Sequence, residues 1–376
     1  MFSADLALLH DKNLLRQIHD RESPQGPRII IAGTEYLNFS SNDYLGLASH
    51  PHLIDQAAQS INRYGFGGGA SRLLGGGCVL HHELEKRIAQ FKNTEAALVL
   101  NSGYSANTGI IPALGGEDTV LCSDELNHAS IIDGCRLSKA ETVVFSHKNM
   151  DHLEDILKKK AAARKIVLTD TIFSMDGDIA PLPQIVSLCT THNAYLYIDE
   201  AHATGVLGKG RGALSHFAMM PEPRIIQMGT FSKALGSFGA FLAGADDMMQ
   251  WIVNTARSFM YSTALPACVI AASMAALDVV VKDPRVVEQL WRNRDKAAQG
   301  IIAAGHDTMG SETPIIPVKT GNLRNTIRVA NYLREKGIFA PAIRPPTVKE
   351  ARIRISITAK HTDEDIERLI DVLKKI

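Results

Sequence analysis

The stretch that decides the fold is AYLYIDEAH at residues 194–202, together with RIIQMGTFSK at residues 224–233. In each, a short apolar run typical of a buried strand ends in polar residues, Asp199 in the first and Thr230 in the second. Similar runs alternate with amphipathic helical segments through the middle of the chain, which predicts an α/β fold with a mainly parallel sheet covered on both faces. The predicted strands are 96–100, 119–122, 142–145, 166–169, 194–198, 225–228 and 240–243.

The pattern changes near residue 282. A helix at 286–304 is followed by strands at 315–319, 338–344 and 351–358, with helices at 325–336 and 364–376, the last with Thr362 as its N-cap. We therefore expect three segments: residues 1–50 packing with a small domain, a large α/β domain at 51–281, and a small α+β domain at 282–376.

Composition narrows the class of protein. The chain of 376 residues has 40 basic and 40 acidic side chains, which gives no support for nucleic-acid binding. Five cysteines without a C-x-x-C pair predict reduced thiols in a cytoplasmic protein and no metal site. The N-terminus does not resemble a signal peptide, and the longest apolar stretch, 264–281, is interrupted by Pro266 and predicts a core helix rather than a membrane span.

The polar residues that end the two strands carry the predicted chemistry. Because parallel strands present ligands at their carboxyl ends, Asp199, His202 and Lys233 are expected close together. A lysine that forms a Schiff base and an acid that pairs with the pyridine nitrogen are the groups that hold pyridoxal 5′-phosphate. Taken singly, Lys233 is more typical of a surface lysine and Asp199 of a helix cap; their combination favours the cofactor.

Further segments fit the same site. The run NSGYSAN at 101–107 follows a strand and opens a helix, a place where free N–H groups bind anions, and Thr230 and Ser232 add hydroxyls for a phosphate. His128 and Ser174 follow other strand ends, where His128 can stack on the cofactor ring. The glycine-dense GFGGGASRLLGGG at 65–77 lacks the dinucleotide-binding spacing and predicts a flexible loop that shapes a substrate channel.

Five ordered blocks of sequence together resemble the α-oxoamine synthases, a family within the fold-type I pyridoxal-phosphate enzymes. They are NFSSNDYLGL at 38–47, NHAS at 127–130, FSMDG at 173–177, DEAHATG at 199–205 and TFSK at 230–233. YSTALP at 261–266 and AIRPPTV at 342–348 are similar to the biotin-pathway branch of this family. The resemblance implies a fold-type I transferase with a seven-stranded sheet, and a homodimer that condenses L-alanine with a pimeloyl thioester and releases carbon dioxide.

The resemblance also implies a role for each matching residue. The catalytic residues would be Lys233 as the Schiff-base lysine, Asp199 as the pyridinium partner and His128 as the stacking residue. The cofactor would further be bound by Gly103, Tyr104, Ser174, His202, Thr230, Ser232 and, from the neighbouring subunit, Thr263. The substrates would be bound by Arg16, Asn42, His128, Thr347 and Arg354, with Arg354 holding the amino acid carboxylate.

Alternatives stay open at this point. The same cofactor chemistry serves family members that use glycine with acetyl-coenzyme A or succinyl-coenzyme A, and a non-catalytic homologue would keep the cofactor without turnover. The acyl group could arrive on acyl carrier protein or on coenzyme A.

Overall fold

The computed structural model describes residues 1–376, which form two compact units. Unit 1 comprises Met1–Ser49, Ser174–Asp178 and Glu288–Ile376, and unit 2 comprises His50–Phe173 and Ile179–Val287. The predicted divisions at 50 and 281 did not include the short segment Ser174–Asp178, which belongs to unit 1. No helix is at once long and apolar enough to span a bilayer.

Unit 2 is built on a seven-stranded sheet in the order β3-β9-β8-β7-β6-β4-β5. Six strands run in the same direction, and β9, which lies between β3 and β8, is antiparallel to both of its neighbours. The buried strands read as continuous apolar runs because both faces of the sheet are covered. The strands are β3 (Ala96–Leu100), β4 (Thr119–Asp124), β5 (Glu141–Phe145), β6 (Arg164–Asp170), β7 (Tyr195–Asp199), β8 (Ile225–Thr230) and β9 (Ala240–Gly244).

Helices of unit 2 connect these strands and cover the sheet. Apolar side chains of the sheet and of the helices α4, α5 and α9 form one buried cluster, which includes Ile110, Ile131 and Ile252. The helices are α2 (Pro51–Tyr64), α3 (Val79–Lys92), α4 (Gly103–Leu114), α5 (Ala129–Leu137), α6 (Met150–Lys159), α7 (Leu182–Thr191), α8 (Ala213–His216), α9 (Asp246–Thr255), α10 (Arg257–Met260) and α11 (Ala267–Lys282).

Unit 1 contains two three-stranded sheets, β1-β2-β11 and β10-β13-β12. Their apolar side chains share a core with α12, α13 and α14. The elements are α1 (Ser3–Asp11), β1 (Arg28–Ile31), β2 (Thr34–Asn38), α12 (Arg285–Ala303, in unit 1 from Glu288), β10 (Ile315–Lys319), α13 (Leu323–Glu335), β11 (Ile338–Phe339), β12 (Ala342–Ile343), β13 (Arg352–Ser356) and α14 (Asp363–Leu373).

The predicted strand at 338–344 is wrong as a single element. It is two strands of two residues each, β11 pairing with β2 in one sheet and β12 pairing with β13 in the other. Pro341 lies between them and lacks the N–H that a continuous strand would donate. The segment thus passes from one sheet of unit 1 to the other.

The glycine-dense segment 65–77 is more ordered in its contacts than a simple loop. It contains a short 3₁₀ helix, Arg72–Leu74, and Ser71 forms an isolated bridge with Thr263. Gly68 lies so close to the segment around Thr263 that a Cβ atom at position 68 would come within 2.5 Å of the Ala264 carbonyl oxygen. Close backbone approach therefore explains glycine at position 68.

Candidate active site

The carboxyl ends of three adjacent parallel strands bring the predicted catalytic groups together in unit 2. Asp199 is the last residue of β7 and lies directly opposite Asp170 on β6 and Met228 on β8. Lys233 follows β8 in a turn closed by a hydrogen bond from Gly236 N–H to the Lys233 carbonyl. The charges of Asp199 and Lys233 both affect the pKa of His128 and the pKa of Asp170. The four groups therefore share one site.

The carboxylate of Asp199 accepts hydrogen bonds from neutral donors only. Its side chain is 3% exposed, and its two oxygens accept hydrogen bonds from the Ala201 N–H at 2.8 Å and from the Asn107 amide at 2.8 Å. These partners fix the orientation of the carboxylate but carry no positive charge. This buried carboxylate therefore has no cation among its hydrogen-bond partners, and a cationic group would complement it.

Asp170 is a second buried acid whose role the sequence did not indicate. Burial raises its pKa well above the usual value, and the neighbouring charge of Asp199 raises it further. Its side chain accepts a hydrogen bond from the His128 N–H at 2.6 Å, and its own N–H donates to Asn127 Oδ1 at 2.9 Å. Asp170 thus anchors the backbone at His128, the residue that precedes α5.

His128, which was predicted to follow a strand end, is the N-cap of α5. Its Nδ1 atom lies 3.2 Å from the Ser130 N–H and 2.7 Å from Ser130 Oγ. Loss of hydration lowers the pKa of His128; Asp199 acts in the opposite sense, and Lys233 lowers the pKa further. The ring is therefore neutral near pH 7. Its centre lies 6.3 Å from the centre of the Tyr104 ring, and the two rings are nearly perpendicular.

The start of α4 has the features of an anion site. Ser102 is the N-cap, and its hydroxyl accepts the Ser105 N–H at 3.1 Å, which leaves the first turn at Gly103 and Tyr104 without helical acceptors for their N–H groups. Across the site, Thr230 Oγ1 lies 2.7 Å from Ser232 Oγ and donates to the Gly239 carbonyl at 2.7 Å. His202 is buried in the loop that follows Asp199.

Thr263 lies on the segment that the glycine-dense loop contacts. The Asn101 amide donates to the Thr263 carbonyl at 2.8 Å, and the residue itself is exposed. Its predicted contact with a neighbouring subunit stays a prediction.

Arg354 is the centre of a polar cluster within unit 1. Its guanidinium donates to the Ser174 carbonyl at 2.6 Å, to Ser356 Oγ at 2.8 Å, to Asn42 Oδ1 at 3.1 Å and to the Tyr44 hydroxyl at 3.3 Å. The arginine is 4% exposed, and every one of these acceptors is a neutral oxygen. A buried guanidinium surrounded by neutral oxygens is suited to hold a carboxylate.

The segment that carries Ser174 is shaped by its glycine. Gly177 has a φ of +71°, and a Cβ atom there would come within 2.0 Å of the Ile315 carbonyl oxygen. Arg352 also forms an ion pair with Asp176 in the same segment. Residues 174–178 are thus held against β10 and β13, which fixes the carbonyl that Arg354 contacts.

A second basic cluster of unit 1 contains two predicted substrate residues. Arg16 donates to Thr347 Oγ1 at 3.1 Å, and Arg344 donates to the Leu15 carbonyl at 2.6 Å. Burial lowers the pKa of Arg344, and the nearby charge of Arg16 lowers it further. Both arginines line a cavity of about 370 Å³ that also contains His19 and Arg334. This cavity therefore has an excess of positive charge.

Two residues of the site were missed for an identifiable reason. Asn107 and Ser130 are fully buried polar residues, and both lie inside segments that the sequence had singled out, NSGYSAN and NHAS. The only signal was a polar side chain among apolar neighbours at the start of a core helix. Their partners lie two to ninety-two residues away along the chain and become visible only in three dimensions.

Comparison with known proteins places these observations in a family. Residues 34–373 match the family described as aminotransferase class I and II. The chain belongs to the class I and II aminotransferase family. The resemblance to its α-oxoamine synthases is confirmed by relatives named 8-amino-7-oxononanoate synthase. That of Geobacter metallireducens is 46% identical over 100% of this chain and 97% of its own, and that of Thermoanaerobacter pseudethanolicus is 44% identical over 98% and 94%.

Several solved structures have the same fold. The serine palmitoyltransferase of Sphingomonas wittichii has a TM-score of 0.93 and 28% identity, covering 100% of this chain and 97% of its own. One from S. paucimobilis with a bound adduct of pyridoxal phosphate and myriocin has a TM-score of 0.94 and 28% identity, covering 100% and 96%. An 8-amino-7-oxononanoate synthase of Francisella tularensis has a TM-score of 0.80 and 27% identity, covering 90% and 97%. The predicted fold-type I class is confirmed.

Proposed function

We propose that this protein is a pyridoxal-phosphate-dependent acyltransferase that condenses L-alanine with a pimeloyl thioester, releasing carbon dioxide and the thiol. The product would be 8-amino-7-oxononanoate, as in biotin synthesis. The observation that carries the proposal is the site formed by Lys233, Asp199 and His128 at adjacent strand ends, in a chain that is 44–46% identical over nearly its full length to two synthases of that name.

The residues of unit 2 fit the cofactor at both of its ends. Asp199 is buried with only neutral partners and suits a protonated pyridine nitrogen. The N–H groups of Gly103 and Tyr104 suit a phosphate, with Ser232 and, from a partner subunit, Thr263 adding hydroxyls. Thr230 and His202 would contact the cofactor as well. When bound, the cofactor supplies a ring that accepts the electron pair left as a Cα bond of the amino acid breaks.

Side chains of this protein would bind the amino acid, transfer the proton and stabilise the developing negative charge. Arg354, with Asn42 beside it, would hold the alanine carboxylate through a charge-assisted hydrogen bond. The Lys233 amine would accept the α-proton as general base and return a proton to the product. His128, which is neutral, would donate a hydrogen bond to the thioester carbonyl oxygen as negative charge develops on it.

The basic cavity of unit 1 supports the choice of acyl group. A pimeloyl chain ends in a carboxylate, whereas acetyl and most fatty acyl chains end in a methyl group. Arg16 and Arg344 lie near enough for one charge to affect the other, and Thr347 adds a hydroxyl beside Arg16. We assign this cluster to the distal carboxylate of the acyl chain, since an anion would relieve the repulsion between the two arginines.

A homodimer is part of the same proposal. Exposed apolar side chains lie on the glycine-dense loop, at the start of α3 and on the segment bridged to the loop: Phe66, Leu73, Leu74, Val79 and Tyr261. Such a patch next to Thr263 is suited to an interface with a second copy of the chain. Light scattering during size-exclusion chromatography would show a mass of twice 40.9 kDa; a monomer at micromolar concentration would contradict this.

The proposal is tested by pairing amino acids with thioesters. Purified protein loaded with pyridoxal phosphate is assayed for thiol release with L-alanine or glycine and with pimeloyl, acetyl or succinyl thioesters. We expect release with L-alanine and the pimeloyl thioester, on carrier protein or coenzyme A, to exceed every other pair. Selective use of glycine would reject the assignment in favour of another α-oxoamine synthase, and release with no pair would indicate a non-catalytic homologue.

A further inference from the structure

Asn107 and Ser130 form a buried chain of hydrogen bonds between Asp199, the predicted partner of the pyridine nitrogen, and His128, which is predicted to stack on the cofactor ring. The chain starts at the Tyr197 hydroxyl, 2.7 Å from Asn107 Oδ1. The Asn107 amide nitrogen lies 2.8 Å from Asp199 Oδ2 and 2.8 Å from Ser130 Oγ. Ser130 Oγ in turn lies 2.7 Å from His128 Nδ1.

The direction of each hydrogen bond follows from its chemistry. An ionised carboxylate only accepts, so the amide nitrogen of Asn107, and not its oxygen, must face Asp199. The amide oxygen therefore faces Tyr197, whose hydroxyl donates to it. Burial raises the pKa of Tyr197 well above its usual value, with Asp199 and Asp170 adding to the effect, so the phenol keeps the proton that it donates.

The second amide proton of Asn107 determines where the Ser130 hydroxyl donates its own hydrogen. Because Ser130 Oγ accepts that proton, its own single hydrogen is available for His128 Nδ1. The Ser130 N–H also points to the same nitrogen, at 3.2 Å. Two donors converge on Nδ1, which leaves no room for a proton there, so the proton of the neutral imidazole must sit on Nε2.

We propose that Asn107 and Ser130 are positioning residues that hold His128 as the Nε2–H tautomer and couple its orientation to that of Asp199. The inference rests on the proposed function, in which His128 donates to the thioester carbonyl oxygen. That donation requires a proton on Nε2, and the hydrogen bonds of Asn107 and Ser130 place it there. Three residues of this hydrogen-bond chain are buried: Asn107 and Tyr197 are 0% exposed and Ser130 is 1% exposed. Water therefore does not compete for these hydrogen bonds.

The test reads the tautomer directly. The holoenzyme is labelled with ¹⁵N-histidine, and the ring signals of His128 are assigned by their loss in His128→Asn. We expect the wild type to carry its proton on Nε2, and Ser130→Ala to give a mixture of both tautomers, because one of the two donors to Nδ1 is gone. Asn107→Leu, which removes the amide without a large change in volume, should do the same.

A matched control is Ser273→Ala, a buried serine of α11 that bonds only to Ser237 and the Val269 carbonyl. This variant should keep the wild-type tautomer and rate. In Ser130→Ala we expect kcat for thiol release to fall about tenfold, with little change in KM for L-alanine, the effect of weakening one hydrogen bond near the reacting carbonyl.

The outcomes separate this inference from the proposed function. A wild-type His128 protonated on Nδ1, or a Ser130→Ala tautomer equal to the wild type whatever its rate, would overturn the positioning role. If Asn107→Leu does not fold, Ser130→Ala alone decides the question. Failure of the wild type to release thiol from L-alanine and a pimeloyl thioester would reject the proposed function and leave the tautomer result standing.

Discussion

At the scale of single residues, Arg354 is the side chain whose replacement tests amino acid binding most simply. Lysine keeps the charge of Arg354 but cannot keep its four hydrogen bonds to Ser174, Ser356, Asn42 and Tyr44. We expect Arg354→Lys to lower kcat/KM for L-alanine roughly 10- to 100-fold, mostly through KM, since a charge-assisted hydrogen bond contributes about 1.5–3 kcal/mol. Arg328→Lys, at an exposed position of α13, is the control; an unchanged KM for L-alanine in Arg354→Lys would refute the role.

Arg344 tests the choice of acyl group at the same scale. Wild-type protein should prefer a pimeloyl thioester to a heptanoyl thioester of the same chain length, which lacks the distal carboxylate. In Arg344→Gln we expect this preference to fall about tenfold or more, because an unpaired carboxylate loses a charged partner. The measurement is the ratio of the two kcat/KM values; an equal ratio in variant and wild type would place the carboxylate elsewhere.

The residues themselves were predictable only in part. Lys233 and Asp199 could be found because each follows an apolar run that ends at the same sheet edge. Asp170 also ends a strand, yet its raised pKa depends on the neighbouring Asp199 and on burial, which a sequence does not reveal. Asn107 and Ser130 act through atoms brought together by folding, and no spacing rule connects them.

At the scale of elements, the predicted cap of α14 gives a direct test of local stability. Thr362 was predicted as the N-cap and is confirmed: its hydroxyl accepts the Asp365 N–H at 3.2 Å, and its own N–H donates to the Asp365 carboxylate at 3.1 Å. We expect Thr362→Ala to lower the free energy of unfolding by about 1 kcal/mol. Urea unfolding is followed in a Trp251→Phe background, where Trp291 reports on unit 1 alone.

The control for this cap is Thr34→Ala at the exposed start of β2, in the unit on which Trp291 reports; it should change stability by no more than about 0.5 kcal/mol. Equal stability of Thr362→Ala and its parent would show that the cap contributes nothing measurable.

Elements with one clear periodicity were predictable from the sequence. The direction of β9 and the division of residues 338–344 into two strands were not. The strands that became β6, β7 and β8 are long apolar runs ending in polar residues, so their positions were confirmed within a residue or two. The antiparallel direction of β9 depends on the short connection from β8, which its apolar residues alone do not indicate. Residues 338–344 were read as one strand because β-rich residues flank Pro341, although their partners lie in two different sheets.

At the scale of the whole molecule, acid should destabilise unit 1 through His361. This histidine is buried and stacks on Phe39; its Nδ1 accepts the Thr358 N–H at 3.0 Å, and its Nε2 donates to the Asn38 carbonyl at 3.0 Å, so only the neutral ring satisfies both contacts. Burial lowers its pKa to about 4. The stabilisation is therefore complete above the ordinary pKa near 6.5 and is lost as pH falls towards 4, by about 3 kcal/mol.

Asp43 changes the design of that experiment. Burial raises the pKa of Asp43 to about 6, so its contribution to stability has the opposite sign: it is complete below pH 4 and is lost as pH rises through 6. Both groups belong to unit 1, and their effects on the wild type partly cancel. The measurement is accordingly the stability difference between wild type and His361→Gln, in which Asp43 cancels; we expect it to shrink between pH 6.5 and 4, and a constant difference would contradict the account.

The most direct test of the central claim is the location of the covalent cofactor bond. Protein loaded with pyridoxal phosphate is reduced with sodium borohydride, digested and mapped by mass spectrometry. The account predicts the reduced adduct on Lys233 alone, no adduct in Lys233→Ala, and no turnover by that variant. An adduct on a different lysine, or turnover by Lys233→Ala at the wild-type rate, would contradict it.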